Sequence, residues 1–524
     1  MFARIVLIGA VLIASLAYFL SSGEAAPRAP YIQGRNKTVL VLANKEHGLS
    51  NVHLSTTYAL LEGFPDLEVH YATFPGVRSK VDKISKFARA QTPAARDVVY
   101  HDLKGASLAE ACEMEKELRY PGMDFQDTMM GPPGAAGIAN LAKDIQWWIS
   151  PWNAEDHMTV YEEISDLIDE IDPAVVVLDT LFRPAIDATR DKNRLHAIVT
   201  PNLLTDNFLG DQPHGSMFWK YPALGSGFKF PVPWHKIPEN IYLNIRIINA
   251  LLLTPGLSAK KAVLRDRGIK EPINLLGMHR TDVPWITMNT EGASVPVDYV
   301  PPNVTSVGPI LMDSAPAAEQ DPELAQWLKK APTIIFNPGS HFLVSEPRAK
   351  AVAAALAKVM AESNVQIVWK LKRQGEYSDE FLEPLQPYLA ADRIKVSEWL
   401  SADIYSLLQT GDVIASVHHG GSNCYHEAIA SGVAQVVLPM WIDLYNFAAL
   451  AENIGVGVWG CRETSPDWTA DCLSSSLLRV IADNEEGANM REKAKQLGEK
   501  VRSGEKGRDL CARNCKTGIC EIDC

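Results

Sequence analysis

Short apolar runs rich in β-branched residues alternate with segments of helical periodicity, and this alternation restricts the fold more than any other feature of the chain. The apolar runs cover residues 38–42, 69–74, 174–178, 197–200, 333–336, 366–370, 394–396, 413–417 and 436–438. The segments 54–61, 160–171, 349–360 and 423–430 carry apolar residues at helical spacing. Continuous apolar strands joined by helices are typical of parallel sheets with both faces covered. The sequence therefore predicts an α/β fold with doubly wound parallel sheets.

A proline-rich and acidic passage divides these runs into two series. It covers residues 295–302 and 309–322 and has neither helical nor strand periodicity. A chain of 524 residues is long enough for two large domains. We predict a first domain at 31–310, a linker at 311–325 and a second domain at 326–480.

The N-terminus indicates secretory targeting. Arg4 precedes an apolar run over residues 5–20, and small residues follow it. The run is long for the core of a signal peptide and short for a membrane-spanning helix, so residues 1–26 are either a cleaved signal or an uncleaved anchor. Both alternatives direct the chain to the lumen or membrane of the endoplasmic reticulum, or to secretion. Asn36 and Asn303 begin glycosylation sequons that this compartment uses.

Cysteine spacing also agrees with an oxidising compartment. Cys511, Cys515, Cys520 and Cys524 crowd the end of the chain, and Cys461 and Cys472 lie upstream. In a secreted protein, cysteines crowded in this way predict disulfide bonds. A tetrahedral zinc site is the alternative, although no histidine lies nearby.

The composition excludes several classes of protein. With 50 Lys and Arg residues against 63 Asp and Glu residues, the net charge is −13, and no basic run interrupts this balance, so we expect no nucleic-acid partner. An apolar content of 47% argues against a disordered chain. Neither a Gly-x-Ser-x-Gly elbow nor a Walker loop occurs.

Residues suited to bind a nucleotide follow the run 413–417. The segment from His418 to Asn423 contains two glycines and opens a helix. Glycines allow close approach of the backbone to a ligand, and the start of a helix attracts phosphate. Glu427 lies one helical turn after Asn423, in position for a ribose diol, and Asp443 follows the next strand. These groups predict a pyrophosphate site at the carboxyl edge of the sheet.

This segment resembles the signature of the family 1 glycosyltransferases, which include the UDP-glucosyl and UDP-glucuronosyl transferases and have the GT-B fold of two facing Rossmann-like domains. The matching positions, at the family's spacing, are His419, Gly421, Asn423, Glu427, Gly432, Val433, Pro439 and Asp443. Upstream, Trp399 matches the tryptophan that stacks on uracil, and Gly339-Ser340 matches a phosphate-contacting pair. The resemblance covers most of residues 330–460.

The resemblance implies that a UDP-sugar is the donor and that no further cofactor is needed. It assigns the diphosphate to His419, Asn423 and Ser340, with Gly421 in the same turn, and the base to Trp399. Glycosyltransferases of the other common fold hold a divalent metal with an Asp-x-Asp triplet. No such triplet occurs in this chain, so we expect a metal-independent enzyme.

The sugar end of the donor site departs from the family pattern. By resemblance, Glu427 holds the ribose hydroxyls and Asp443 the sugar hydroxyls. Cys424 replaces the usual serine, Ala434 the usual proline and Leu444 the usual glutamine. A lost carboxamide leaves sugar hydroxyls unpaired, at a cost of about 1–3 kcal/mol. The identity of the sugar therefore stays open.

The first domain is expected to supply the reacting base. His47 lies in the loop after the run 38–42, at the sheet edge where ligands bind. In the resembled family a histidine there takes the proton of the acceptor hydroxyl, and an aspartate, matched by Asp179, holds its other ring nitrogen. His53 is the alternative base, and a purely structural role is the alternative for Asp179. We interpret His418 and His426 as structural residues.

The function predicted is inverting transfer of a hexosyl group from a UDP-sugar to a hydroxyl of an apolar small-molecule or lipid acceptor. Segments 101–160 and 202–260 are insertions rich in Trp, Met and Phe, which either pack on the sheet or line an apolar acceptor cleft. The alternatives are a UDP-sugar epimerase of the same architecture and a non-catalytic UDP-sugar or lipid binder. Membrane association is expected, if at all, through the N-terminal segment.

The end of the chain is expected to close the two-domain structure. By resemblance, a helix at 481–507 returns to the first domain, although a solvated terminal helix fits the sequence equally well. A Cys-rich tail follows at 508–524.

Overall fold

The structure is a computed structural model that describes residues 29–253, 255–339 and 342–520, with the side chains of 517–520 outside the description. Residues Gln33–Cys524 form one unit. Residues Met1–Ile32 form a separate unit, of which only 29–32 are described. The predicted targeting segment therefore lies outside the described residues, as do Ser340 and Cys524.

The first sheet has seven parallel strands, in the order β3-β2-β1-β4-β5-β6-β7. The strands are β1 (Arg35–Leu42), β2 (Glu68–Thr73), β3 (Val99–Asp102), β4 (Pro173–Asp179), β5 (His196–Thr200), β6 (Trp285–Thr287) and β7 (Val304–Ser306). Every residue of β4 is buried, because this central strand has helices on both faces and valines that suit a pleated interior.

The helices of the first half fill the crossovers and two long insertions. They are α1 (His47–Gly63), α2 (Arg78–Gln91), α3 (Leu108–Arg119), α4 (Phe125–Met129), α5 (Ala135–Ile149), α6 (Ala154–Ile171), α7 (Arg183–Asp191), α8 (Leu204–Asn207), α9 (Ser216–Trp219), α10 (Ile237–Leu252) and α11 (Pro255–Asp266). Two short 3-10 turns cover Pro213–Gly215 and Trp234–Lys236. Ser107 and Glu110 form a capping box at the start of α3, which fixes where that helix begins.

The second sheet has six parallel strands, in the order β10-β9-β8-β11-β12-β13. The strands are β8 (Thr333–Phe336), β9 (Gln366–Lys370), β10 (Ile394–Ser397), β11 (Val413–His418), β12 (Ala434–Val437) and β13 (Gly457–Trp459). In each sheet the order in which strands are added reverses where the first strand in chain order lies beside the fourth, β1 beside β4 and β8 beside β11. This is the doubly wound arrangement. The predicted α/β class with parallel sheets is confirmed.

The helices of the second half cover its sheet and end the chain. They are α12 (Ala317–Gln320), α13 (Pro322–Leu328), α14 (Glu346–Glu362), α15 (Gln386–Ala390), α16 (Ile404–Leu408), α17 (Ser422–Ser431), α18 (Ile442–Ile454), α19 (Ala470–Ile481), α20 (Glu485–Ser503) and α21 (Gly507–Cys520), with a 3-10 helix at Asp379–Leu385. The main apolar core of this half lies between α14, α18, α19 and the sheet.

Sequence periodicity missed four strands: β3, β6, β7 and β13. Each is only three or four residues long, too short to show a strand pattern without its neighbours. β7 lies between the two parts of the proline-rich passage, α12 lies inside the second part and α13 begins at its end. The predicted domain boundaries stay a prediction.

The two insertions are helical, and their large apolar residues are partly buried in the interior and partly in the wall of a cleft. Trp147, Trp152 and Phe208 are buried, whereas Trp148 and Met130 line a cleft beside α18. Among the described residues, only the helical span Trp234–Asp266, which contains α10 and α11, is long and apolar enough to cross a membrane by length and composition alone, with a mean hydropathy of 1.3 over an 18-residue window.

The end of the chain returns to the first sheet through α21. This helix packs on α1, and Arg508 pairs with Glu62 at 3.1 Å and with Asp313 at 2.9 Å. The preceding helix α20, where the sequence placed the return, packs on α17 of the second half. The difference arises because Cys511 and Cys515 give the supposed tail an apolar face, which is buried in the first core.

The cysteines follow the expected cross-linking only in part. Cys461 and Cys472 form a disulfide. Cys511 and Cys515 are buried thiols. They lie one turn apart on α21 and face the apolar core of the first half. The Cys520 side chain and Cys524 lie outside the described residues.

Candidate active site

The loops that follow the strands of the two sheets meet in one cleft. Ser422 Oγ donates a hydrogen bond to the Pro201 carbonyl oxygen at 2.6 Å. Asn423 Nδ2 donates to the Gly48 carbonyl oxygen at 3.3 Å. Because doubly wound sheets bind ligands outside the carboxyl ends of their strands, this cleft is the candidate active site.

His419 lies after β11, enclosed by glycine backbone. A Cβ added to Gly421 would lie 2.5 Å from the His419 Nε2 atom, and one added to Gly339 would lie 2.8 Å from Cε1. Gly420 has a φ of +96°, which disfavours other residues, and its missing Cβ would lie 2.8 Å from Val437. The absence of side chains here lets both the imidazole and the backbone approach a ligand.

The start of α17 forms the anion-binding end of the cleft. Its N-cap residue is Gly421, and no side chain caps the first amides of the helix. In the first turn, Asn423 Oδ1 is buried without a hydrogen-bond partner in the described part of the chain. Uncapped amides and the positive end of the helix dipole attract phosphate groups. Together with His419, this turn suits a diphosphate, as the sequence predicts.

Glu427 lies one turn further along α17 in a water-poor environment. Burial, with a smaller contribution from the negative charge of Asp403, raises the pKa of Glu427 to about 8. At neutral pH and without ligand, this carboxyl group is therefore mostly protonated. A ribose diol that donates two hydrogen bonds prefers the carboxylate form.

We expect UDP affinity to depend on the ionisation of Glu427. Because the raised pKa leaves the carboxylate scarce below pH 8, affinity should increase with pH by up to about tenfold per unit below that value and then level off. Isothermal titration of UDP between pH 6.5 and 9 measures this. The Glu427→Gln variant lacks this carboxyl group, so its affinity changes with pH only through the ionisation of UDP itself. An identical dependence of UDP affinity on pH in parent and variant would contradict the role of Glu427.

Trp399 lies two residues after β10, at the predicted base site. Its indole is 64% exposed, and Lys370 Nζ lies 4.5 Å from the ring centroid. Burial lowers the pKa of Lys370, which also interacts with Cys424. An exposed indole suits stacking on a planar base, and Lys370 adds a cation that the sequence analysis did not single out.

Asp443 lies in the first turn of α18, and Asp206 in α8 interacts with it from the first half of the chain. Burial raises the pKa of Asp443 to about 6. Burial and the charge of Asp443 together raise the pKa of Asp206 to about 7, while the Leu203 amide donates to Asp206 Oδ2 at 2.8 Å. Two carboxyl groups from the two halves of the chain therefore lie close enough to interact, and contact of Asp443 with sugar hydroxyls stays a prediction.

Asp206 was missed by sequence reasoning. It belongs to a helix of only four residues inside an insertion, and no family motif covers it. The available signal was its place six residues after the end of β5, at the same sheet edge as the other site residues.

His47 is the first residue of α1 and is exposed to the cleft side of the first sheet. Lys80 Nζ lies 3.3 Å from its Nδ1 atom, and Asn51 Nδ2 lies 3.1 Å from its Nε2 atom. The adjoining Gly48 contacts Asn423, so the predicted base lies beside the predicted diphosphate site. Burial lowers the pKa of Lys80, a second neighbour that sequence reasoning did not find.

Asp179 ends β4 and is fully buried. Its Oδ2 atom accepts hydrogen bonds from the Asn44 backbone amide at 3.2 Å and the Asn44 side chain at 3.0 Å. Its Oδ1 atom accepts from the Leu181 amide at 2.9 Å. These bonds fix the loop that carries His47, and a direct role for Asp179 on the imidazole stays a prediction.

The other histidines near the site are buried structural residues. His53 Nδ1 bonds to the Leu49 carbonyl oxygen inside α1, which places the alternative base in the protein core. His418 Nε2 bonds to Gln435, and burial lowers the pKa of His418 to about 4. Burial lowers the pKa of His426 equally. Ser340 lies outside the described residues, so its predicted phosphate contact stays a prediction.

Comparison with known proteins places this geometry in a family. Residues 389–512 match the family described as Erythromycin biosynthesis protein CIII-like, C-terminal domain. The chain is 29% identical to the glycosyltransferase sdnJ of Sordaria araneosa over 93% of its own length and 99% of that protein. The fold is shared with a UDP-glucosyltransferase of Polygonum tinctorium, with a TM-score of 0.60 and 16% identity over 93% of this chain and 99% of that one.

Together these matches support a family 1 UDP-glycosyltransferase. Its two sheets are therefore the two halves of a GT-B fold, which it also shares with TcCGT1 in complex with UDP, at a TM-score of 0.59, 16% identity and coverage of 93% and 99% of the two chains. A sterol 3-beta-glucosyltransferase of Komagataella phaffii is 24% identical over 52% of this chain and 22% of that protein. The predicted family, fold and enzyme class are confirmed.

Proposed function

We propose that this transferase moves a hexosyl group from a UDP-sugar to a hydroxyl of an apolar acceptor, with inversion and without a metal ion. One observation carries the proposal: the hydrogen bond from Asn423 to the Gly48 carbonyl oxygen, at 3.3 Å. It brings the start of α17, which suits the diphosphate, next to His47, which suits the acceptor hydroxyl.

The reaction is a single displacement at the anomeric carbon. The acceptor oxygen forms a bond to that carbon, its proton passes to the imidazole of His47, and the bond from the carbon to the UDP oxygen breaks. Attack opposite the leaving group inverts the configuration. The neutral imidazole is needed because an alcohol loses its proton far above neutral pH.

The leaving UDP carries the negative charge that develops in the transition state. The uncapped amides of α17 and the side chains of His419 and Asn423 neutralise this charge in place of a metal ion. Among the described residues, no group of three or more His, Cys, Asp and Glu side chains has the arrangement of a metal site. We expect turnover to be unchanged by EDTA, as measured by UDP release, and recovery of lost activity by Mg²⁺ or Mn²⁺ would contradict metal independence.

An apolar acceptor is supported by the two clefts that flank α18. One is lined by Leu203, Phe228, Phe230, Val295 and Phe447 together with Asp206. The other is lined by Met129, Met130, Trp148 and Ile442, among others. Apolar walls with few polar groups are typical of sites for largely hydrophobic ligands.

The experiment is UDP release from a panel of UDP-sugars, with and without hydroxylated apolar acceptors. Mass detection identifies the product, and NMR of its anomeric proton reports inversion or retention. Acceptor-dependent release with inverted product supports the proposal. Conversion of one UDP-sugar into another without acceptor would instead establish an epimerase, for which Asp206 and Asp443, from the two halves of the chain, provide two carboxyl groups.

We also propose that the transferase acts in the lumen of the secretory pathway. The Cys461–Cys472 disulfide agrees with an oxidising compartment. Asn36 is exposed, whereas Asn303 Nδ2 donates to the Arg280 and Val283 carbonyl oxygens, so a glycan fits only the first sequon. Protease protection in microsomes, with an endoglycosidase shift abolished by Asn36→Gln, tests the proposal, and cleavage of the whole chain by external protease would contradict it.

A further inference from the structure

One surface of the first half exposes large apolar side chains that no other part of the described chain covers. We call it the lipid-facing surface and define it by the residues Trp219, Trp234, Tyr242, Leu253 and Val263, which lie on α9, α10, α11 and the turns beside them. Trp234 is 82% exposed and Leu253 is 73% exposed. Large exposed apolar side chains that recur within one short segment point to an interaction site.

Helix α10 combines polar and apolar residues on its outer side. Its exposed stripe consists of Pro238, Tyr242, Arg246 and Asn249, and it continues to Leu253. Half-buried apolar residues flank this stripe, namely Ile241, Ile245, Ile248 and Leu252. A helix side that combines aromatic and apolar residues with a cation is suited to a boundary between water and an apolar phase.

The inner side of α10 is fixed to the domain by buried asparagines. Asn240 Nδ2 donates to the carbonyl oxygens of Phe218 and Tyr221 at 3.1 and 2.9 Å. Asn244 Nδ2 donates to the Met217 carbonyl oxygen at 3.1 Å. These bonds tie the helix to the loop before it, and they argue for a helix that lies along a surface rather than one that crosses a bilayer.

The charge of this region is opposite to that of the chain. Residues 214–268 hold eight Lys and Arg residues against two acidic residues, in a chain whose net charge is −13. Lys220, Lys236 and Arg267 pair with acidic neighbours. Within the described residues, Arg246 and Arg265 are exposed and form no ion pair within 4.0 Å. Unpaired cations around an apolar patch attract a surface that is both apolar and anionic.

We propose that the lipid-facing surface binds the interface of an anionic bilayer, with α10 lying in the headgroup region. Trp234 and Tyr242 suit the boundary between headgroups and acyl chains, where aromatic side chains with a polar atom are favoured. Leu253 and the isoleucines enter the apolar layer, and Arg246 and Arg265 contact lipid phosphates.

The inner side of α10 packs on an apolar cluster that borders the acceptor cleft. Leu243 of α10 belongs to the same apolar cluster as Ile138 of α5, and Phe228 and Ile442 pack against that cluster. Phe228 lines the cleft beside Asp206, and Ile442 adjoins Asp443. Resting on the proposed function, we infer that the acceptor is a hydroxylated amphiphile that enters the cleft from the bilayer.

The test compares full-length variants by flotation with phosphatidylcholine vesicles, with and without phosphatidylserine. Because the parent and its variants carry the same N-terminal segment, any difference in vesicle binding between them is caused by the lipid-facing surface. Trp234→Asp combined with Leu253→Asp should lower the vesicle-bound partition coefficient by about tenfold or more. Leu118→Asp, at a leucine that is 81% exposed on α3, is the matched control and should bind like the parent.

Two further readouts keep the inference separate from the proposed function. Transfer to a water-soluble acceptor should be unchanged in the double variant, while transfer to an acceptor dissolved in vesicles should fall with binding. Equal flotation of parent and double variant would overturn the inference even if transfer is observed. Loss of a dimer in light scattering, without loss of vesicle binding, would assign the surface to a second copy of the chain and overturn it as well.

Discussion

Replacing His47 by alanine should lower kcat by about 10² to 10⁴, the usual contribution of a general base. The acceptor hydroxyl then has no group to take its proton as the new bond forms. The dissociation constant of UDP should stay within about twofold of the parent value, because the diphosphate site lies on α17 and His419. Steady-state UDP release and isothermal titration of UDP measure the two quantities.

Two comparisons make the His47 result specific. His214→Ala replaces another exposed histidine and should leave kcat unchanged. Lys80→Met keeps the imidazole but removes the cation that lies 3.3 Å from Nδ1, so it should alter the pH profile of kcat while retaining measurable turnover. Full activity of His47→Ala would reject the base, and loss of UDP binding in the same variant would indicate a structural role.

Gly421→Ala should weaken donor binding by about 10- to 100-fold, since overpacking typically costs about 1–3 kcal/mol. The added Cβ would lie 2.5 Å from Nε2 of His419, so the imidazole must leave its place beside the start of α17. Gly421 has an ordinary φ of −61°, which alanine adopts without strain. The expected loss therefore comes from the displaced ring, and it appears in the dissociation constant of UDP.

Gly63→Ala is the matched control for this substitution. Gly63 is the last residue of α1, and a Cβ there would meet no atom within 4 Å. It should leave UDP affinity unchanged, and alanine in place of glycine in a helix should slightly increase the free energy of unfolding. Wild-type affinity in Gly421→Ala would show that the position of His419 does not control donor binding.

The donor end of the site was predictable because its chemistry is local in sequence. From His419 through Glu427, strand end, glycine turn and first helical turn follow within nine positions, so the spacing alone places the side chains around one ligand. The buried apolar strands were predictable for a similar reason, because continuous β-branched runs identify interior strands without knowledge of their partners. His47 was found from its place after the first strand.

The partners of these residues depend on contacts between distant parts of the chain. Asp206 and Asp443 are more than two hundred positions apart, and the sequence around either residue does not indicate that the two interact. Asp179 follows an identifiable strand, yet its hydrogen bonds to Asn44 depend on how β1 and β4 pair. Lys80 beside His47 follows from the packing of α2 on α1.

By itself, the sequence determined the class of fold, the family and the donor-binding segment, because strand periodicity and motif spacing are properties of short stretches of chain. Tertiary structure decided which carboxyl groups share the cleft and which helix returns to the first sheet. It also decided that the outer side of α10 is uncovered, since whether an apolar residue is buried depends on what packs against it. Exposure and electrostatic environment are set by neighbours that are remote in sequence, so they become visible only once the chain is folded.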